Sequence, residues 1–148
     1  FAKVLSPTQL KKDVANDIVR QTLMLINTTD DNDFTSFRAK DIDAFVEWYN
    51  EHVDEKDIII LKSALSFLDE KFEEKLNLKS TSLPMMLYAA YTCVKNEKDF
   101  DKFTNIVQIF VDNYGDNMDY VQYCTSGTSS AQSVQGRFNY WKNLCKGL

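Results

Sequence analysis

The chain has 148 residues, 44% of them apolar, and a formal charge of −5. That length suits one domain able to bury roughly two thirds of its unfolded surface, so folding requires no disulfide or metal. The negative balance excludes a general attraction for a phosphate backbone and leaves that role to a local basic patch.

Four Gly and two Pro are too few for a sandwich built on many tight turns. Cys93, Cys124 and Cys145 stand at unrelated spacings and read as reduced thiols of a cytoplasmic protein. His52 is the single His and there is no CxxC pair, so zinc is poorly supplied and no cofactor is expected. No apolar run reaches membrane-spanning length, so no membrane partner is expected. The opening Phe1-Ala2-Lys3-Val4-Leu5 reads as the interior of a longer protein, with a processed N-terminus as the alternative. The expectation is one helical domain, 1–148, excised from that longer chain.

In chain order, a first helix is predicted from the cap-and-proline pair Ser6-Pro7 to Ile26, with Leu10, Val14, Ile18, Leu25 and Ile26 on one stripe. It ends at the polar run 27–33, read as a loop whose like charges disfavour packing. The run raises a calcium question. An EF-hand loop needs Gly at its sixth position and Glu at its twelfth, and neither is present. The reading is therefore a solvated loop.

A second helix is predicted over about Lys40–Val53, with Ile42, Phe45, Val46, Tyr49 and Val53 facing inward. Trp48 lies off this stripe, where it either packs on a neighbouring loop or marks a partner surface. His52 sits at the helix end, which favours a cation. A third helix begins at the cap Asp54 and carries Ile58, Leu61, Leu65, Leu68 and Phe72 close to a heptad seam. Its acidic end, around Glu70 and Glu74, reads as a solvated face rather than a carboxylate pair for acid–base work.

The least polar stretch, Ser80 to Val94, has no charge between Lys79 and Lys95. Ser82 is predicted to cap a helix and Pro84 to sit in its first turn. A helix apolar on nearly every side belongs in the middle of the molecule. Asp99 to about Asn113 carries the stripe Phe100, Phe103, Val107, Phe110, Val111 and Tyr114, normally core at this spacing, with Gly115 as the helix stop. Residues 116–123 form a short helix or turn. The small, hydroxyl-rich run Cys124 to Ser130 then feeds a last helix with Val134, Phe138, Trp141 and Cys145 on one face.

The predicted fold is thus all-α, an irregular bundle of about six helices around a central helix at about 82–95. A small-residue loop entering a helix N-terminus can hold an anion. Thr128, Ser129 and Ser130, with the cations Arg137 and Lys142, are the candidate anion or nucleic-acid contacts. A turn with a Ser cap is the plainer reading, and no Walker pattern is present.

One set of residues resembles a known family. Ser82-Leu83-Pro84 with Leu87-Tyr88-Ala89-Ala90-Tyr91, then Phe103 and Phe110, then Tyr120 and Tyr123-Cys124-Thr125-Ser126-Gly127-Thr128, then Val134 and Arg137-Phe138, is similar to the helical region of the GmrSD-type prokaryotic group. The N-terminal domain of that group resembles the ParB/sulfiredoxin fold. Asp13 to Ile18 and Ile42 to Phe45 are similar in style.

Two departures stand out. Basic residues often follow the Gly-Thr in that family, where this chain has Ser129-Ser130-Ala131-Gln132. The family's Asp-Gly-Gln-Gln-Arg-like signature has no counterpart here. What the resemblance implies is a non-catalytic helical module of a restriction or phage-defence protein. An upstream ParB-like domain of the same polypeptide would be its partner, and DNA would be reached through the parent protein.

Two other readings stay open. One is a protein-binding or dimerising module using Trp48 and the third helix. The other is an enzyme with Cys124 as nucleophile, which needs a base that only His52 could supply.

Overall fold

The computed structural model describes residues 13–148. Among these the protein is all-helical: α1 Val14–Ile26, α2 Ala39–Tyr49, α3 Glu55–Lys71, α4 Leu83–Lys95, α5 Phe100–Asn113, a 3-10 turn Tyr114–Asp116, α6 Met118–Val121 and α7 Ala131–Leu144. The expected Ser6-Pro7 start and Leu10 lie outside the described residues. None of the described helices is long and apolar enough to cross a membrane.

α4 occupies the middle, contacting α1, α3, α5 and α7. Leu83, Pro84, Met85, Met86, Leu87, Ala89, Ala90, Tyr91 and Cys93 are all buried on it. With no polar face to offer water, it is stable only when wrapped by other helices. Its stop is a left-handed Glu97, φ 53°. The N–H groups of Glu97 and Lys98 return to the carbonyls of Val94 and Cys93, at 3.1 and 2.9 Å. That is the usual left-handed helix ending, formed here without glycine.

The flanking helices follow their caps. Asp54 adopts an extended backbone, and its carboxylate accepts from the Lys56 N–H at 2.9 Å. α2 stops at Tyr49, short of the expected Val53, which is exposed. Asp99 likewise caps α5, whose Phe103, Val107 and Phe110 are core. In α3 the buried seam is Leu61, Ala64 and Leu68, with Ile58 and Leu65 half-buried. Gly115 lies inside the 3-10 turn and is not a left-handed helix stop.

One more expectation is corrected. Ser82 does not cap α4; its hydroxyl hydrogen-bonds the Tyr120 hydroxyl in the core. The run 27–33 is a loop with Asp30, Asp31, Asn32 and Asp33 exposed, and the segment just beyond it is anchored. Thr35 and Phe37 are buried, and Asp33 accepts from the Thr35 N–H at 2.9 Å. Gln135 of α7 donates to Thr35 Oγ1 at 2.8 Å, and the Phe37 N–H donates to the Ser129 carbonyl at 2.9 Å. Two stretches some ninety to one hundred residues apart are thus strapped together. One glycine is dictated by space: a Cβ on Gly136 would stand 2.5 Å from the Tyr123 ring.

Candidate functional site

The loop 123–130 is shaped by its own short-range bonds. The Tyr123 and Cys124 N–H groups bond the carbonyls of Tyr120 and Val121 at 3.0 and 2.9 Å. Gly127 takes a left-handed φ of 56°, a conformation open to glycine at little cost. Ser130 then starts α7, its hydroxyl accepting from the Ser133 N–H at 3.3 Å.

Arg137, two turns into α7, holds this loop from inside. Its residue is 1% exposed, and its guanidinium donates to the Tyr123 carbonyl at 2.6 Å and the Thr128 carbonyl at 2.8 Å. Burial holds its pKa below the usual arginine range, with Tyr120 and Cys124 opposing that shift. No carboxylate of the described residues forms an ion pair with it. Its Nε is buried and has no hydrogen-bond partner.

Beside it, the Tyr120 hydroxyl joins Ser82 and Trp141, whose Nε1 donates to it at 3.2 Å. Burial raises the Tyr120 pKa, so it stays a neutral phenol. Aromatic rings close around the knot. Phe110 packs against Trp141 with centroids 4.5 Å apart, and Tyr88 meets Phe138 edge-on at 4.7 Å.

A small cavity of about 200 Å³ lies alongside. α1 contributes Val14, Asp17, Ile18 and Gln21; Phe37, Ser80, Thr81, Thr128, Ser129 and Arg137 complete its wall. Of the sequence candidates, Thr128, Ser129 and Arg137 therefore meet there, while Ser130 serves as the helix cap. Lys142 does not join them. Its ammonium sits 4.2 Å over the Phe138 ring and lines a separate cavity with Lys98, Lys146 and Cys145. Thr81 was missed by sequence reasoning. Its signal was the uncharged Ser80-Thr81-Ser82 run, read there only as helix capping.

The remaining candidates are placed as follows. Trp48 is half-buried, packing against Phe34 of the 28–38 loop with centroids 4.9 Å apart, against Phe45 at 6.0 Å and stacked on the His52 ring at 4.1 Å. His52 also hydrogen-bonds the Trp48 carbonyl through Nδ1 at 2.8 Å. Cys124 is in a different place, its thiol donating to the Tyr120 carbonyl at 3.7 Å. Burial pushes that thiol's pKa up, the opposite of what an activated nucleophile needs. Among the described residues no three His, Cys, Asp or Glu side chains gather as a metal site.

In comparisons with known proteins, no family model, curated protein or solved structure matches this chain.

Proposed function

We propose that this chain is a non-catalytic helical accessory domain of a larger cytoplasmic DNA-targeting protein of restriction or phage-defence type. In this reading it positions, or senses for, an upstream ParB-like domain of the same polypeptide. One observation carries the reading. Polar residues of the family-like motif bond one another, Ser82 to Tyr120 and Arg137 to the carbonyls of Tyr123 and Thr128, and Trp141, outside that motif, donates to Tyr120. Groups so engaged tie the start of α4, α6 and the 123–130 loop to α7. A rigid unit that sets the place of a neighbouring domain is the role such a knot suits.

The test is twofold. The coding frame upstream should encode a ParB-like segment, and the chain alone should turn over neither DNA nor nucleoside triphosphates. An upstream frame lacking that segment, or turnover abolished by one substitution in this chain, would overturn the proposal.

A second reading, a protein-binding or dimerising module, has its own support in α3. Ile59 and Phe67 are exposed on it, 62% and 39%, and line a shallow depression with Lys62 and Glu70. Sedimentation over a wide concentration range tests it: a dimer lost in Ile59→Lys favours this reading, and a monomer throughout removes it.

A further inference from the structure

α3 buries Leu61, Ala64 and Leu68 and turns a second stripe outward. Lys56, Ile59, Ser63, Ser66, Phe67 and Glu70 recur at steps of three and four, so they share one face of the helix. Ile59 and Phe67 stand exposed on it two turns apart, the Phe67 ring leaning at one edge on Phe100 with centroids 5.1 Å apart. The depression along this face is walled by residues of α3 alone, so no other described element rises over it.

The order of residues along the stripe names its occupant. Counted from Ser63, the residues four before and four after are both apolar, Ile59 and Phe67. The residues seven before and seven after are opposite in charge, Lys56 and Glu70. Such a face is complementary to itself turned end for end. A two-fold axis beside Ser63 sets Ile59 of one copy against Phe67 of the other, and Lys56 against Glu70, each contact occurring twice as an isologous interface requires. A parallel pair would set lysine against lysine and glutamate against glutamate, which is unfavourable. Among the described residues neither Lys56 nor Glu70 forms an ion pair within the chain, so both are available across the axis. We infer that the outer face of α3 is a homodimer surface, on which a second copy of this chain packs its own α3 antiparallel across a two-fold axis at Ser63.

This inference rests on the second reading above and gives it a partner and a geometry. The two apolar contacts supply the attraction. The cross-pairs fix orientation and register, against the general repulsion of two chains of charge −5. A seventeen-residue helix is about 25 Å long, which places the contact in the small, transient class of interface.

Sedimentation of the full chain from low to high micromolar concentration should show a reversible dimer. Glu70→Lys sets lysine against lysine and should weaken it about five-fold, since two pairs are lost at once. Adding Lys56→Glu reverses both partners and should restore it. Both side chains are exposed, so the fold is not at stake. Ser63→Cys, oxidised with copper phenanthroline, should give a disulfide-linked dimer, because residue 63 meets its own copy at the axis. Glu70→Cys should not, since the two copies of residue 70 then lie about 21 Å apart along the helices. The unaltered chain, with its three free cysteines, is the blank. A monomer at every concentration, or a dimer that survives Ile59→Lys, overturns the inference together with the reading beneath it. A dimer lost in Ile59→Lys but lacking the Ser63→Cys cross-link, or not rescued by Lys56→Glu, overturns the two-fold geometry and leaves that reading standing. A Glu70→Cys cross-link would mean parallel helices and overturns the geometry likewise.

Discussion

Arg137 and Lys142 lie five residues apart on α7, about 140° around it, and carry the same charge. One is sealed inside, holding two carbonyls of the 123–130 loop. The other is exposed, resting over the Phe138 ring near Lys98 and Lys146. The difference teaches that basicity along a helix says little about duty; the angle at which each side chain leaves decides it. The inner region is a bonded knot whose parts depend on one another, and the outer one is a collection of separate lysines.

Substitutions sharpen that contrast. Trp141→Ala, in the knot, should cost about 3–5 kcal/mol in denaturant unfolding, since it empties a fully buried site and frees the Tyr120 hydroxyl. A loss below about 1 kcal/mol would show that the knot is not cooperative. Arg137→Lys should cost about 2–3 kcal/mol, because an ammonium cannot reach both carbonyls as the planar fork does. An unchanged midpoint would break the comparison.

Alkaline titration gives the next effect. Burial pushes the Cys145 thiol from its ordinary 9.0 up to about 11, with Cys93 adding to the rise. Below both values the thiol is protonated whether the chain is folded or not, and contributes nothing to pH dependence. Between pH 9 and 11 the unfolded chain has released that proton while the folded chain retains it, so stability falls as pH rises. Cys145→Ala should make the fall shallower. Some decline should remain, because Cys93, Cys124, Tyr91 and Tyr120 shift in the same direction. The smallest effect belongs to Lys142→Gln, about 0.5 kcal/mol for one exposed cation–ring contact. A loss as large as that of Arg137→Lys would erase the distinction.

What was legible in the sequence was local. Apolar spacing marked α3, α5 and the wrapped α4, and Asp54 announced its helix through a cap that depends on two or three neighbours. What was hidden was long-range. Ser82 has the look of a cap, yet its partner Tyr120 is 38 residues away. The acidic run after α1 is exposed as read, but nothing in the sequence told that Phe37 and Thr35 just beyond it bond Ser129 and Gln135 near the far end of the chain. The candidate site was half visible. Thr128, Ser129 and Arg137 were singled out together and do meet, while Thr81 was masked by the stronger capping signal of Ser82. Lys142 was grouped with Arg137 by proximity in sequence, which a helix does not preserve in space.

Gly136 carries a consequence for recognising kin. With the Tyr123 ring where its first side-chain carbon would be, the two positions are mutually exclusive in bulk. A distant cousin can enlarge the helical position only by shrinking the aromatic thirteen residues before it. A search for this architecture should therefore weigh that pair jointly, as one two-letter word, where position-by-position scoring would treat each letter as free to drift.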